Sequence, residues 1–543
     1  MRISSLLRRL FTMSRTSEMV AIARNHASSL HSPAGGRPTS PSGSKSSFLL
    51  AFFSRTNDNY KQAMISRRCV LSITVVLTAL LAGRAQTSPP HGPAKDDYSQ
   101  EAAVIEQMAT KIAFDNDGKF NREQTSRVRV QTDSGVKQWG LLSFPFQSAT
   151  QTVEIDYVRV HKADGTTLIT PPDNVQDLDS EITRSAPFYS DLREKHVAVK
   201  GLGKGDILEY AAHWHTTKPL IPGQFWFQYS FQQEGIVQDE RMEIKVPAER
   251  SVKVRGPQAT QTVATDAGFR VYTWTYSKLQ SATEPGSDQK KQTESERGLL
   301  PPPDVEISSF TNWEDVGRWY WNLQKDRIEP TPAIRAKAAE LTKGMTDDAA
   351  KLRAIYGFVS TQYRYIGIAF GIGRYQPHAA DDVLTNNYGD CKDKHTLLAS
   401  LLQASGITLY PALISSSFKL DRDVPSPAQF DHVIGYLPQG KGKDAVWLDT
   451  TLEIAPFGYL VPRLRDKPAL VMSGDKSIQL VTTPADASST GTQTFRIDGK
   501  LSDDGTFEAK VEDTTRGDVE VAMRAAFRQV PQPQWKDLMQ QIS

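Results

Sequence analysis

Cysteine is scarce in this chain, which has only two in 543 residues, at positions 69 and 391. Cys391 lies in the stretch NYGDCKDKH, residues 387–395, directly before the apolar run TLLASLL. Asp390 has the side chain of a helix N-cap, so the pattern predicts that Cys391 begins a helix. The unpaired backbone N–H groups and the dipole at a helix start favour a thiolate. The sequence therefore predicts a reactive cysteine rather than a thiol that packs as a small hydrophobe.

The charged neighbours of Cys391 support the same prediction. Asp390, Lys392, Asp393 and Lys394 argue against a buried thiol, and the two lysines also favour the thiolate. Leucines at intervals of three and four then predict one apolar helix face, and Gly406 is a natural residue for the helix end. The four leucines are Leu397, Leu398, Leu401 and Leu402.

A reactive thiolate needs a partner base, and His432 is the best-placed candidate. It opens a predicted strand in FDHVIGYL, and Asp449 ends the next predicted strand in VWLDTT. If these strands are antiparallel neighbours, Asp449 lies beside His432 and can hold its ring toward Cys391. Alone, each is more often a structural strand-end residue. Together with a cysteine at a helix start, they predict a nucleophile, a base and an orienting carboxylate.

Four other histidines are alternative functional residues. His395 lies one turn along the predicted helix from Cys391, and His378 lies on the preceding loop, where it could shape substrate access. In an earlier strand, His213 and His215 share one face and would supply two metal ligands. No third ligand stands nearby, so an ordinary strand face is favoured. We predict no metal and no other cofactor.

The elements that must position these residues fall into modules, as the length of the chain suggests. Alternating apolar residues and Gly-containing turns predict short strands over residues 98–280, a β-sandwich-like N-terminal domain. Val153, Ile155 and Tyr157 share one face, and the apolar phase then shifts to Val158 and Val160, which indicates a bulge or burial of both faces. Residues 281–304 are polar and proline-rich, which predicts a linker.

The remaining sequence predicts an α+β core and a final small module. Residues 305–483 combine amphipathic helices with three strands, which predicts helices packed on an antiparallel sheet. Residues 484–543 predict a β-hairpin followed by a helix-like segment. This C-terminal β-rich module is short, which leaves open whether it is truncated.

The N-terminus predicts export. Residues 1–63 are rich in Ser, Arg, Gly and Pro, and we interpret them as disordered or as a mis-assigned extension. Residues 64–85 have the basic start, the short apolar run and the small residues of a signal peptide cut after Ala85. Cleavage would leave Cys391 as the single cysteine of a periplasmic or secreted protein. The alternative is an uncleaved inner-membrane anchor, with the protein facing outward.

Composition narrows the partners. Hydrophobic residues make up 39% of the chain and charged residues 23%, as in ordinary globular proteins. The formal net charge is only +2, and no basic stripe is interleaved with aromatic residues. We therefore predict no nucleic-acid partner, and a membrane contact only through an uncleaved signal anchor.

The chain resembles the transglutaminase-like cysteine superfamily in three segments and in their order, namely YGDCKDKHTLLASLLQASGI, FDHV and VWLDTT. The closest resemblance is to bacterial exported proteins that carry an uncharacterised β-rich domain before the transglutaminase core, and it covers residues 98–530. It implies a papain-like core with Cys391 as nucleophile, His432 as general base and acid, and Asp449 as the orienting residue. It also implies an oxyanion site that joins the Cys391 backbone N–H to a second donor, for which Tyr365 and Gln376 are the candidates.

This sequence departs from the common pattern of that superfamily at two positions. Many relatives have Asn where Asp431 stands and Pro where Thr450 stands. Neither difference removes a catalytic group. Asp431 would raise the basicity of His432 if the two lie close together.

The resemblance implies an enzyme that attacks a carboxamide or peptide carbonyl and forms a thioester. Water as acceptor would make it a peptidase or amidase, and an amine would make it a crosslinking transferase. The implied partner is a protein or peptide of the cell envelope. The alternative hypothesis is a non-catalytic binding or scaffold protein of the envelope with a relict triad, and the reactivity of Cys391 discriminates between the two.

Overall fold

The computed structural model describes residues 98–185, 190–280, 299–368, 375–439, 444–474, 477–486, 491–505 and 507–542. The predicted extension and signal peptide lie outside these residues, as does most of the predicted linker. The described residues fall in two compact units, which divide the chain at residue 491. They contain nine α-helices and form the mixed α+β fold that the sequence predicts. Within this part of the chain, no helix has both the length and the apolar character to cross a membrane.

The first half of the larger unit consists almost entirely of strands. In chain order its elements are β1 (Ala103–Phe114), β2 (Phe120–Val130), α1 (Asp133–Trp139), β3 (Leu141–Gln147), β4 (Gln151–His161), β5 (Thr167–Ile169), β6 (Val175–Asp179), α2 (Glu181–Ser185), β7 (Leu192–Ala198), β8 (Ile207–Thr216), β9 (Trp226–Tyr229), β10 (Ile236–Pro247), β11 (Lys253–Arg255), β12 (Gln261–Asp266), β13 (Phe269–Lys278) and β14 (Val305–Ser308).

The main element of this region is an eight-stranded sheet with the strand order β12-β13-β10-β1-β2-β8-β4-β5. Its strand pairs are antiparallel except β1 with β10. Two three-stranded sheets, β3-β7-β6 and β11-β14-β9, pack on the same face. The strand register identifies the residues of this face. One row across five strands consists of Trp214, Arg122, Ile112, Ile244 and Tyr272. The arrangement is sandwich-like.

Strand β14 returns the chain to this β-rich region after residues 281–298. It pairs with β9 on one side and β11 on the other. Val305 and Ile307 are fully buried in the same cluster as Trp274. Residues 305–308, which the sequence places at the start of the core, therefore belong to the second three-stranded sheet.

The second half of the larger unit packs helices on a sheet. Its elements are α3 (Trp313–Gln324), α4 (Pro332–Leu341), α5 (Asp348–Gln362), β15 (Arg364–Tyr365), α6 (Ala380–Asn386), β16 (Tyr388–Gly389), α7 (Cys391–Ala404), β17 (Tyr410–Ile414), β18 (His432–Leu437), β19 (Val446–Leu448), β20 (Pro468–Met472) and β21 (Ile478–Thr482). The sheet order is β19-β18-β17-β20-β21, and its strand pairs are antiparallel.

Helix α7 is the centre of this core. Every residue from Cys391 to Leu402 is buried. The helix contacts α4, α5 and α6 as well as strand β18. A helix that is buried all round is a core element rather than a surface helix with one apolar stripe.

The smaller unit contains β22 (Gln493–Leu501), β23 (Phe507–Thr515), α8 (Asp518–Gln529) and α9 (Trp535–Ile542). The two strands form the predicted hairpin, and it is strongly amphipathic. On one face, three cross-strand pairs join opposite charges. On the other face, the large apolar side chains are more than half exposed, namely Phe495, Ile497, Leu501, Phe507 and Val511.

Candidate active site

The start of helix α7 is capped by the residue that the sequence indicates. Asp390 has extended backbone, and its Oδ1 accepts a hydrogen bond of 3.1 Å from the backbone N–H of Asp393. Cys391 is therefore in the first turn. Its side chain is 1% exposed and packs in a cluster with Tyr320 and Val433.

Strands β18 and β19 bring His432 and Asp449 together. The two strands are antiparallel neighbours, with Gly435 opposite Leu448. His432 begins β18 and Asp449 directly follows β19, so the two side chains meet at the same edge. His432 Nε2 lies 3.0 Å from Asp449 Oδ2. The other carboxylate oxygen accepts hydrogen bonds from the Thr451 N–H at 2.9 Å and its hydroxyl at 2.7 Å.

Cys391 lies next to His432 and contributes to its pKa. Because Asp449 engages Nε2, Nδ1 is the ring nitrogen that is left for the thiol. Burial disfavours a charged imidazole, but the charge and hydrogen bond of Asp449, with the contribution of Cys391, raise the pKa of His432 well above its usual range. Burial likewise opposes a charged Asp449, yet its pKa is lowered by His432 and by the hydrogen bonds from Thr451. The three side chains thus form one continuous series.

Tyr365 lies beside this series because a short strand pairing places it there. Strand β15 runs parallel to β16, with Tyr365 opposite Gly389. The Ile366 N–H donates to the Gly389 carbonyl at 3.0 Å. Burial raises the pKa of Tyr365 well above its usual range, and nearby Cys391 and Asp449 raise it further.

Two family models match separate parts of the chain. Residues 116–283 match DUF3857, a domain of unknown function with a solved structure, and residues 335–443 match the transglutaminase-like superfamily. The chain combines a DUF3857 domain with a transglutaminase-like core. The second match contains Cys391 and His432, while Asp449 lies just beyond its end. A search of curated proteins returned no match.

Solved structures support the same fold. A candidate protease from Parabacteroides distasonis superposes with a TM-score of 0.58 at 16% sequence identity, over 71% of this chain and 72% of that chain. An M1 zinc metallopeptidase from Deinococcus radiodurans matches at 10% identity over 38% of this chain and 42% of that chain, with a TM-score of 0.21. The first likeness concerns the fold alone, and the second is too distant to inform the comparison.

The charged residues at the start of α7 are buried inside the transglutaminase-like core. The expectation that they keep the Cys391 thiol accessible is therefore wrong. Lys392 is fully buried and pairs with the carboxylate of Asp390. Lys394 is also fully buried and donates to the carbonyls of Ser360 at 3.2 Å and Tyr363 at 2.6 Å. Burial lowers the pKa of Lys394 to about 8. These lysines satisfy internal partners instead of facing solvent.

The other candidates occupy different places. Gln376 is exposed, and its Nε2 donates to the Leu323 carbonyl at 3.4 Å, which directs the side chain toward α3. Asp431 accepts hydrogen bonds from the N–H of Ser416 and the hydroxyl of Ser417. These contacts join both side chains to partners other than Cys391 and His432, and the oxyanion role of Gln376 stays a prediction.

The two alternative histidines nearest to Cys391 in the sequence, His378 and His395, have different surroundings. His378 contacts Asp393 through its backbone N–H at 2.8 Å and through Nδ1 at 3.1 Å. His395 is buried, and among the described residues neither ring nitrogen has a hydrogen-bond partner. Burial lowers the pKa of His395 to about 3. A histidine in that environment stays neutral at physiological pH.

Tyr320 is a neighbour of Cys391 that the sequence did not single out. Its ring is fully buried in the cluster that holds Cys391. Burial raises its pKa well above the usual range, and Cys391, Asp390 and Asp393 raise it further. In the sequence, Tyr320 belongs to an ordinary apolar helix stripe, and only the packing of α3 brings it to the start of α7.

The histidines of the DUF3857 domain are paired separately. His213 Nδ1 lies 2.7 Å from Asp156 Oδ2, and His215 Nδ1 lies 2.9 Å from Asn121 Oδ1. Across the part of the chain that the structure describes, no group of three or more His, Cys, Asp or Glu side chains is arranged to hold a metal ion.

Proposed function

We propose that this protein is a cysteine enzyme of acyl transfer, with Cys391 as nucleophile, His432 as base and acid, and Asp449 as the residue that orients His432. The observation that carries the proposal is the continuous series Cys391–His432–Asp449 at the start of a capped helix. Such a nucleophile, base and orienting group are the minimum for covalent catalysis by a thiol. The transglutaminase-like match over Cys391 and His432 supports it.

In the proposed reaction, His432 Nδ1 takes the thiol proton and the Cys391 sulfur attacks the carbonyl carbon of an amide. The C–N bond of the tetrahedral intermediate then breaks. The departing amine takes the proton from the His432 imidazolium, and a thioester remains on Cys391. Water or a second amine, deprotonated by His432, attacks the thioester and releases the thiol. Asp449 stabilises the imidazolium in both halves of the reaction.

Tyr365 is our candidate for an oxyanion donor, because the β15–β16 pairing holds it next to Gly389 and Cys391. It would act with the backbone N–H of Cys391, which is one of the unpaired N–H groups of the first helical turn. We further propose that the substrate is a protein or peptide of the cell envelope, because the apolar run of residues 64–85 predicts export.

Alkylation of Cys391 by iodoacetamide tests the nucleophile and base. Peptide mass mapping separates Cys391 from Cys69 in the full-length chain. Because Cys391 is buried, its rate at pH 6 is compared with its own rate at pH 9; this ratio should be higher than for a free cysteine peptide, and His432→Ala should lower it at least about tenfold, because the imidazolium that stabilises the thiolate is lost. Rates that follow a free thiol of pKa about 8.5, with or without His432, would contradict the proposal and favour a non-catalytic protein.

The acceptor is tested with casein and monodansylcadaverine. Incorporation of the dansyl group into casein would identify amine transfer. Ammonia release without incorporation would identify an amidase, and shortened casein chains a peptidase. Cys391→Ser is the control in each assay, because loss of the thiol should abolish whichever product appears.

A further inference from the structure

Residues 375–378, Tyr-Gln-Pro-His, form a short segment, here called the strap, that touches both the DUF3857 domain and the nucleophile helix. At its first residue, Tyr375 packs against Trp226 of strand β9 with ring centroids 6.0 Å apart, and against Trp319 of α3 at 5.0 Å. The Trp226 side chain also lowers the pKa of Tyr375, against the larger effect of burial. Indole has only a donor, so the pair is suited to a hydrogen bond from the Trp226 N–H to the Tyr375 hydroxyl.

At its last residue, the strap is held by Asp393. Both carboxylate oxygens are used, one by the backbone N–H of His378 at 2.8 Å and the other by its Nδ1 at 3.1 Å. Asp393 is fully buried, and its own N–H donates to the cap residue Asp390. Buried carboxylates with several hydrogen bonds to one segment fix that segment strongly. Asp393 stands two residues after Cys391 on the same helix turn.

The strap is too short and too stiff to absorb a displacement between its ends. Three residue steps span at most roughly 10 Å. Pro377 is buried and has a fixed φ, and it also restricts the backbone of Gln376. In the middle, Gln376 is tied to α3 through the Leu323 carbonyl. The position of Tyr375 on Trp226 therefore constrains where His378 meets Asp393.

We propose that Trp226 of the DUF3857 domain is a positioning residue for the core, which acts through Tyr375 and the strap to hold Asp393 and the start of α7. The DUF3857 domain is then part of the device that sets the nucleophile, and not only a neighbouring module. The importance of this device for catalysis rests on the function proposed above, whereas the mechanical link through the strap does not.

Hydrogen exchange at the strap tests the link in the full-length chain. Trp226→Phe keeps an aromatic ring and removes the N–H donor. It should speed amide exchange in the peptide that contains His378 by about 2- to 10-fold, the effect of losing one ordinary hydrogen bond. Tyr375→Phe removes the same bond from the other side and should match it. Trp313→Phe is the control, because it also loses an indole donor, to the Arg422 carbonyl, which does not belong to the strap.

A double-mutant cycle separates transmission from general loosening. If the strap carries the effect, Asp393→Asn already frees His378, so adding Trp226→Phe should change its exchange little further. Cys391 alkylation should change by a similar factor in Trp226→Phe and in Tyr375→Phe. Unchanged exchange at His378 in both Trp226→Phe and Tyr375→Phe would overturn the proposal, and so would additive effects in the cycle. Failure of the proposed function would show instead as alkylation that does not respond to His432→Ala.

Discussion

Among single residues, Asp449 has the largest influence on the state of His432. Its charge and hydrogen bond are the main contributions that overcome burial and raise the pKa of His432. Asp449→Asn keeps the shape but removes the charge, so the imidazolium should be lost at a lower pH. We expect Cys391 alkylation at pH 6 to fall by about 10²-fold, a typical loss when a positioned base is disabled.

Thr451→Val is the matched control for Asp449→Asn. The Thr451 hydroxyl donates to Asp449 Oδ1 at 2.7 Å, so its loss weakens the support of the carboxylate without removing its charge. We expect a smaller decrease in alkylation, of about 2- to 10-fold. An equal effect of the two substitutions would mean that hydrogen bonding, and not the charge of Asp449, sets the state of His432.

His378 provides a pH-dependent contact with Asp393. The hydrogen bond to Asp393 raises the pKa of His378, although its partial burial opposes this. A raised pKa means that the stabilisation is complete below the unfolded value of about 6.5 and is lost as pH rises through the folded value. His378→Asn keeps a donor near the Nδ1 position but has no charge. The difference in unfolding midpoint between wild type and His378→Asn should therefore shrink from pH 6 to pH 9.

His378→Gln completes that comparison, because its amide nitrogen lies near the Nε2 position and cannot replace Nδ1. It should destabilise the strap at every pH, whereas His378→Asn should approach wild type at alkaline pH. Urea midpoints at several pH values measure both. A difference between wild type and His378→Asn that does not depend on pH would show that the charge of His378 contributes nothing.

At the scale of residues, the sequence can place side chains where the signal is local. Cys391, His432 and Asp449 each stand at the end of a helix or strand, and such ends can be read from caps and alternation. Tyr320 and Trp226 could not be found this way. Both lie inside regular apolar patterns, and only tertiary packing brings them to the site.

At the level of elements, the close approach of β16 to α7 requires a glycine. A Cβ on Gly389 would lie 2.8 Å from the Cβ of Asp393. Gly389→Ala should therefore push α7 away from its cap and destabilise the protein by about 1–3 kcal/mol, the usual cost of overpacking. Thermal or urea unfolding measures this, and Cys391 alkylation should decrease in the same variant.

Gly357→Ala is the matched control in a neighbouring helix. Gly357 lies inside α5, and a Cβ there would meet nothing within 4 Å. Alanine should stabilise the helix by about 0.5–1 kcal/mol, because glycine is entropically costly in a helix interior. Equal destabilisation by the two substitutions would mean that the effect at Gly389 is not steric.

Helix α7 also carries an acid-sensitive residue in its buried middle. The pKa of His395 is lowered to about 3 by burial, while an unfolded histidine titrates near 6.5. Between these values only the unfolded chain binds the proton, so the free energy of unfolding should fall by up to about 1.4 kcal/mol per pH unit as pH decreases. His395→Leu should remove this loss. His395→Asn, which is polar but does not titrate, should also remove it.

Urea unfolding between pH 7 and pH 4 checks the role of His395. The two variants should share a flatter pH dependence than wild type, and His395→Leu should be the more stable, because it buries no unpaired polar atom. If the free energy of unfolding of both variants depended on pH as it does in wild type, His395 would not be the cause of that dependence.

The burial of α7 on all sides is the main feature of an element that the sequence did not predict. A charged N-cap and three charged residues in its first turn indicate a solvent-facing start by the usual rules. The structure buries them because each finds a partner inside, as Lys394 does at the carboxyl end of α5. Such pairings depend on elements far apart in the chain. A bulge in β4 was predictable, because a change in alternation is local; the sequence places it after Tyr157, and the register of β4 with β8 shifts between Ile155 and Tyr157.

For the whole molecule, the order of modules could be predicted, but the way they share strands could not. A linker pattern separates the two halves of the larger unit in the sequence, yet β14 belongs to the sheet of the DUF3857 domain. Four residues of strand carry too little periodicity to be assigned from sequence. Contacts then cross between the halves, including a 2.7 Å hydrogen bond from the Leu300 N–H to the Ser417 carbonyl and an ion pair of 2.9 Å between Arg255 and Asp421.

These contacts predict that the DUF3857 domain and the transglutaminase-like core unfold together. Ser308 at the end of β14 is fully buried, and its hydroxyl donates to the Pro425 carbonyl of the core. Ser308→Ala leaves that carbonyl without its partner, which should cost about 1–3 kcal/mol. Hydrogen exchange in urea should show one midpoint for peptides of β2 and of α7, and both should shift equally in the variant.

Ser143→Ala tests whether that shift depends on the contact between the two halves. The Ser143 hydroxyl also donates a hydrogen bond, to Glu194 at 2.9 Å, but both partners belong to the exposed side of one small sheet in the DUF3857 domain. Its loss should move the midpoints by less than about 0.5 kcal/mol, as for most surface substitutions. If Ser308→Ala shifted only the α7 peptides, the two halves would be independent folding units. The strap would then be the tie between the DUF3857 domain and the nucleophile, and Trp226→Phe should affect Cys391 without changing either midpoint.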